Sequence, residues 1–126
     1  MSTKTEFLLA LRPVVSTEPT LNPAEKFQNL TLRPILKFQN DTLIHVFRQY
    51  AVERKNAFFQ LTEADKKIYI KNALRADIKL YALLKGIIIG HFTEEEWQVY
   101  LVNEQDINRR LSNLISQRLL SNLAVF

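Results

Sequence analysis

The sequence has 126 residues, 47% hydrophobic and 24% charged, and its 17 basic and 13 acidic residues give a net charge of +4. A domain of this size and composition can bury a sizeable core, which excludes wholesale disorder. Two glycines and four prolines are too few for a many-stranded sandwich or barrel, and the absence of cysteine excludes disulfides and thiolate metal sites. We expect a single all-α domain over residues 1–126 in a reducing compartment, the cytoplasm.

The N-terminal region, residues 1–21, is predicted to be a short helix followed by a linker. Thr3 and Glu6 have the spacing of a capping box, and Arg12-Pro13 ends the helix. This start lacks the long apolar run of a secretory signal. The longest apolar stretch, residues 80–89, is about half of the ~20 residues that a membrane-spanning helix requires. We therefore expect a soluble protein without membrane contact.

The helical core, residues 22–126, begins at Asn22, a capping residue followed by a proline in the first helical position. Residues 23–59 carry apolar side chains at helical spacing, which predicts one long helix. Pro34 lacks the amide that would bond the preceding turn, so we expect a kink or a brief break over residues 30–33.

A repeat lies in this long helix. The pattern Lys-Phe-Gln-Asn-x-Thr-Leu starts at Lys26 and again at Lys37, eleven residues later. Eleven residues make three helical turns plus about 20°, so the two copies are predicted to face the same way, about 16 Å apart. Phe27 and Phe38 should then both point inward. The pattern is either a consequence of core packing or a duplicated binding element.

The middle of the chain predicts two further helices. Thr62 and Asp65 form a capping box before residues 63–75, and Asp77 precedes the run IKLYALLKGIII. This run, residues 78–89, is apolar on nearly every side, so we expect a helix buried by several neighbours at the centre of the fold. A buried strand over residues 86–89 is the alternative.

Glycines punctuate the end of this apolar run. Gly86 is predicted to allow a close helix contact, and Gly90 fits the left-handed position beyond a helix end. Thr93 and Glu96 then form a third capping box, and the last helix is predicted to continue to about residue 123. The sum is a bundle of about four to five helices, with antiparallel neighbours and the first long helix kinked at Pro34.

Polar residues near the proline kink suggest an anion site. Arg33, Lys37, Asn40 and His45 follow one another along the predicted helix. A proline kink opens space between helices, and cations and amides beside such a space can hold a carboxylate or a phosphate. Asp41 lies four residues before His45 and can orient it.

A basic stripe forms a separate hypothesis. Lys67, Lys71, Arg75 and Lys79 recur every fourth residue and would share one face if the helix ran unbroken. Such a stripe can contact phosphates of nucleic acid. Acidic residues lie in the same region and no aromatic side chain stands in the stripe itself to stack on bases, so a solvated helix face is the favoured interpretation.

Signals of catalysis are weak. The two histidines, His45 and His91, are fewer than metal sites commonly use, and the sequence has no phosphate-binding glycine loop, nucleophile elbow or HExxH motif. His91 is expected to contact the end of the preceding helix. We predict no metal, no cofactor and no catalytic residues.

Two segments resemble a known family: FQNLTLRPILKFQND in residues 27–41 and GIIIGHFTEEEWQVYL in residues 86–101. They are similar to a family of small bacterial helical proteins without an established biochemical role, and the likeness spans most of the chain from Leu9 onwards. Members sometimes carry the label glyoxalase. That label implies a metal-dependent lyase built from βαβββ units, whereas the residues themselves predict helices.

These observations lead to three functional hypotheses. The first is a cytoplasmic helical interaction or regulatory module that forms a homodimer or binds a protein partner through a helix face. The second is a small-molecule binding protein for an anionic ligand, or an enzyme such as the glyoxalase of the family label. The third is weak binding of nucleic acid.

Overall fold

The computed structural model describes residues 3–126, and all regular structure in this range is helical. The α-helices are α1 (Thr3–Ala10), α2 (Pro23–Phe27), α3 (Arg33–Phe38), α4 (Asn40–Glu53), α5 (Glu63–Ala76), α6 (Ile78–Ile89), α7 (Glu94–Val102) and α8 (Glu104–Ser121). A π-helical turn, Gln28–Leu32, joins α2 to α3, and short 3-10 helices cover Ala57–Gln60 and Leu123–Val125. The predicted all-α class is confirmed, but the described chain has more helices than the four to five predicted.

Side-chain caps fix the starts of several helices. At each of these N-caps, a side-chain oxygen accepts a hydrogen bond from the backbone N–H three residues later, which satisfies a donor that the helix cannot pair itself. The caps are Asn22, Thr62, Asp77 and Thr93. The starts of α2, α5, α6 and α7 therefore lie where the sequence predicts them.

The expected distortion near Pro34 takes the form of the π-helical turn. Within it the Arg33 N–H bonds to the Gln28 carbonyl, five residues back. One extra residue per turn moves the hydrogen-bond register just before the buried Pro34, which has no N–H to contribute. The chain then remains helical through α3 and α4 apart from a distorted residue at Gln39.

The π-turn also changes the geometry of the repeat. Phe27 is 5% exposed but Phe38 is 44% exposed, so the prediction that both point inward is wrong. The π-turn uses one residue more than a regular α-helical turn. The second copy is therefore rotated by about 100° relative to its place in a regular helix, the angle that one residue subtends. The two rings nevertheless contact adjacent residues, since Phe27 packs edge-on against Phe92 and Phe38 edge-on against His91.

Neither of the two predicted long helices is continuous over its full predicted length. The first ends at Glu53, because Lys55 and Asn56 adopt left-handed backbone angles, with φ of 63° and 61°. The last is divided into α7 and α8 at Asn103, whose φ and ψ are −119° and 30°. A hydrophobic pattern that continues through one distorted residue does not reveal such a break.

Helix α8 lies at the centre of the fold. It packs against α2, the π-turn and each helix from α3 to α7. Its buried side chains are Ile107, Leu111, Leu114, Ile115 and Leu119. Together with α4, which buries Leu43 and Phe47, it supplies much of the hydrophobic core.

The central position predicted for α6 is therefore wrong. The segment is helical, so the strand alternative is excluded, but only Leu80, Leu84 and Ile88 are buried. A Cβ added to Gly86 would meet nothing within 4 Å, so Gly86 serves no close contact inside the described chain. Gly90 has a right-handed φ of −59° rather than the expected left-handed one.

Candidate functional site

The outward face of α6 is an apolar surface on the outside of the molecule. We define it by Ile78, Ala82, Leu83 and Gly86, all of which are exposed, with Ile78 at 82% and Leu83 at 54%. Residues 82 and 86 are one helical turn apart and small, so the backbone of α6 is open to close approach along this line. Such a line of small side chains lets a second helix approach closely.

A groove of about 380 Å³ between α4 and α6 borders this face. Arg54 lies over the Tyr50 ring, 3.5 Å from its centroid, and donates to Asp77 Oδ2 at 2.9 Å. Burial is the main cause that raises the pKa of Tyr50, while the nearby Arg54 charge opposes it. Arg54 and Asp77 are paired with each other, and the apolar members of the lining that are not buried, Val46 and Leu83, remain for contacts with a partner.

A second candidate site is a cleft of about 280 Å³ between α3 and α8. We call it the arginine cleft, because Arg33 of α3 and Arg118 of α8 both line it. The rest of its lining is Leu36, Leu114, Gln117 and Ser121. The two leucines are buried core residues, so the cleft has an apolar base and a polar, strongly basic rim.

Neither arginine of the cleft is paired with a carboxylate. Arg33 Nε donates to the Asn29 side-chain oxygen at 3.2 Å, and Arg118 Nη1 donates to that of Asn40 at 3.4 Å. Among residues 3–126 no acidic group forms an ion pair with either guanidinium. The cleft therefore carries two positive charges that the described chain does not neutralise.

The two guanidinium groups also repel each other. Burial, and then the charge of Arg33, lower the pKa of Arg118. A guanidinium remains protonated in proteins even so, because its ordinary pKa is far above neutral. The repulsion is therefore present at every physiological pH, and an anion between the two side chains would relieve it.

The structure separates the four residues predicted to hold an anion. Arg33 lines the cleft, and Asn40 contacts it indirectly by accepting from Arg118. Lys37 is exposed, and its Nζ lies 3.4 Å from the Val14 carbonyl of the linker. His45 is exposed on α4 and lines none of the described cavities.

Arg118 was missed by the sequence prediction, although a signal exists. Arg109 and Arg110 have Asp106 three and four residues before them on α8, and both pair with it. No acidic residue lies three or four positions from either Arg118 or Arg33. This absence is only a weak signal, because Arg54 also lacks such a neighbour and still pairs with Asp77, which is distant in the sequence.

In contrast, Arg12 pairs with a carboxylate in a polar cluster at the start of α7, although its buried Nε has no hydrogen-bond partner within residues 3–126. Its Nη1 and Nη2 donate to the two carboxylate oxygens of Glu96 at 2.6 and 2.7 Å, and Nη2 also donates to the His91 carbonyl at 2.8 Å. Thr31 Oγ1 and the Thr93 N–H donate to the same carboxylate, both at 2.9 Å. This cluster fixes the linker to the bundle.

The electrostatics of the cluster favour an ionised Glu96. Burial alone would raise its pKa, but the hydrogen bonds from Arg12, Thr93 and Thr31 together outweigh burial, so the pKa of Glu96 is lowered. The side chains of Arg12 and Glu96 are only 8% and 16% exposed. With its carboxylate saturated by donors, the cluster has a structural role rather than a binding one.

His91 lies beside this cluster. Its Nε2 is 2.8 Å from Gln39 Nε2, which donates to it, while the buried Nδ1 has no partner within residues 3–126. Burial and the charge of Arg12 lower the pKa of His91, so the ring is neutral at pH 7. The His91 backbone N–H bonds to the Ile88 carbonyl at the end of α6, but the ring itself contacts Gln39 and Phe38, so the side-chain contact with the helix end that we expected is not seen.

The predicted basic stripe is interrupted. Lys67, Lys71 and Arg75 are exposed on α5, but the helix ends at Ala76 and Lys79 belongs to α6. Lys67 lies 3.9 Å from Glu63, and Arg75 donates to Asn72. The condition of one unbroken helix is therefore not met, although binding of nucleic acid stays a prediction.

The described residues contain neither a metal-binding cluster nor a membrane-spanning helix. Within residues 3–126, no group of three or more histidine and acidic side chains is arranged to hold a metal ion. In the same range no helix combines the length and apolar character needed to cross a membrane.

Comparisons with known proteins add no further constraint. No protein family model, no curated protein and no solved structure matches this chain. The resemblance to a bacterial family with the glyoxalase label therefore stays a prediction, and the function has to be argued from the residues themselves.

Proposed function

We propose that this protein is a small helical interaction module that self-associates through the outward face of α6. The observation that carries the proposal is Gly86. A glycine inside a helix costs about 1 kcal/mol relative to alanine, yet Gly86 faces open space and meets no other side chain. A second helix that packs closely across this position supplies a reason for a residue without a side chain.

The surrounding residues support the same proposal. Ile78 and Leu83 flank Gly86 on an exposed face of a helix whose sequence is apolar almost throughout. Covering such a face removes apolar surface from water, at roughly 25 cal/mol per Å². The α4–α6 groove beside it offers a concave surface for side chains of the partner.

Charge favours a second copy of the chain as the partner. Lys79 lies near the N-terminal end of α6, while the exposed Glu94 and Glu95 follow its C-terminal end. If two α6 helices pack antiparallel about a two-fold axis, the lysine of each copy approaches the acidic end of the other. The lack of cysteine is consistent with the bacterial cytoplasm, the compartment that we propose.

Sedimentation equilibrium tests this function with matched variants. Leu83→Glu places a charge on the outward face and should produce a monomer, while the parent protein is a dimer. Ile68→Glu is the control, because Ile68 on α5 is exposed to a similar extent, 56% against 54% for Leu83. A parent protein that sediments as a monomer at every concentration would refute self-association.

A further inference from the structure

We propose that the arginine cleft is a binding site for a small oxyanion, the phosphate or carboxylate group of a metabolite. The proposal is independent of self-association, since the cleft lies between α3 and α8 and the outward face lies on α6. Its basis is the pair Arg33 and Arg118, which face one cleft without a carboxylate partner.

Within residues 3–126, most other arginines are paired with a carboxylate, and the two that are not, Arg48 and Arg75, do not line the cleft. Arg12, Arg54, Arg109 and Arg110 each pair with a carboxylate of the chain. In the cleft the guanidinium groups are instead held by neutral amides, which accept hydrogen bonds but leave the positive charge in place. Two converging guanidinium groups are suited to an oxyanion, because each presents parallel N–H donors.

The rest of the lining completes such a site. Gln117 lines the cleft and is exposed, so its side-chain amide can donate to a bound anion. Ser121 donates its hydroxyl to the Arg118 carbonyl at 3.1 Å, which ties it to the last turn of α8. Leu36 and Leu114 provide an apolar base that suits a short carbon chain.

Two features of the cleft limit the size and the chemical class of the ligand. A volume of about 280 Å³ lies just below the usual range for drug-sized molecules, roughly 300–1,000 Å³. No aromatic side chain lines the cleft to stack on a base. The structure therefore points to a small phosphate or carboxylate compound rather than a nucleotide.

Isothermal titration calorimetry at constant ionic strength tests the proposal, with inorganic phosphate and succinate as separate probes. We expect saturable binding of one anion per chain, weakened roughly tenfold or more in Arg33→Gln and in Arg118→Gln, because each removes a charge-assisted hydrogen bond. Arg109→Gln should bind like the parent, since Arg109 is exposed and pairs with Asp106. Comparing the two probes shows whether the site prefers phosphate or carboxylate.

Arg118→Lys provides a second variant in case a glutamine variant fails to fold, because it keeps the charge but loses the planar fork. We expect this variant to bind more weakly than the parent. In amide NMR spectra, the shifts caused by phosphate should be concentrated in α3 and α8. The proposal is refuted if neither probe saturates with the parent, or if Arg109→Gln reduces binding as much as the cleft variants.

Discussion

Helices α6 and α8 differ in how many of their apolar side chains are buried. Helix α8 keeps its large apolar side chains on one face, buried against six other helices, and polar residues cover much of the rest. Helix α6 is the more apolar of the two, yet it buries only Leu80, Leu84 and Ile88. The large apolar side chains of α8 are buried in the core, whereas α6 has apolar side chains that the core does not bury.

We expect the largest difference in the free energy of unfolding between a variant of a core leucine in α8 and a variant of an exposed leucine in α6. Leu111→Ala should reduce the free energy of unfolding by about 2–5 kcal/mol, because Leu111 is fully buried. Leu83→Ala should change it by less than about 0.5 kcal/mol in the monomer. Urea unfolding at low protein concentration measures both. An equal loss in the two variants would show that the two helices do not differ in this way.

The segment after α6 allows a second test of stability. There Arg12 and Glu96 form a mostly buried ion pair, unlike the exposed apolar side chains of the outward face. Glu96→Gln should reduce the free energy of unfolding by about 1–3 kcal/mol at pH 7, because the buried charge of Arg12 loses its partner. Urea unfolding as a function of pH extends this test.

The direction of the pH dependence follows from two pKa shifts. The pKa of Glu96 is lowered from 4.5, so its contribution to stability is present above pH 4.5 and is lost as the pH falls through the lowered value. The pKa of His91 is lowered from 6.5, so acid also destabilises the fold below pH 6.5. The free energy of unfolding should fall as the pH drops below 6.5, and the difference between Glu96→Gln and the parent should narrow only as the pH falls below 4.5. A gap that stays constant would contradict the assignment.

A smaller effect is expected at Gly86. Gly86→Ala should raise the free energy of unfolding of the monomer by about 0.5–1 kcal/mol, since the added Cβ meets open space and alanine favours the helix. Thermal unfolding under conditions that keep the chain monomeric measures this. A destabilised variant would mean that α6 already packs closely at this position within one chain.

Local signals in the sequence predicted much of this fold. Asn22, Thr62, Asp77 and Thr93 mark helix starts because capping is a short-range interaction between residues three apart. The distortion before Pro34 was predicted, though not its π-helical form, whereas the break at Asn103 was missed because a single distorted residue leaves the apolar pattern almost unchanged. The exposure of α6 was also missed. Hydrophobicity indicates that a segment can be buried, but it does not indicate which other helices pack against it.

The candidate sites were predictable to different degrees. Arg33 was identified from its place beside Pro34, but Arg118 lies 85 positions further along the chain and joins it only through packing of α3 on α8. The lack of acidic neighbours at helical spacing was not sufficient to identify them, because Arg12 and Arg54 lack such neighbours too and pair with carboxylates distant in the sequence. Lys37 and His45 were assigned to the same site because they follow the proline kink in the sequence, but both are exposed and neither lines the cleft.

The most direct test of self-association through α6 is the sedimentation equilibrium mass of Gly86→Leu beside Gly86→Ala and the parent. A leucine at position 86 fits the open space of the monomer but blocks close approach of a second helix. We predict a dimer for the parent and a folded monomer for Gly86→Leu, with Gly86→Ala between them. A dimer of unchanged affinity in Gly86→Leu, or a monomeric parent, would contradict the account.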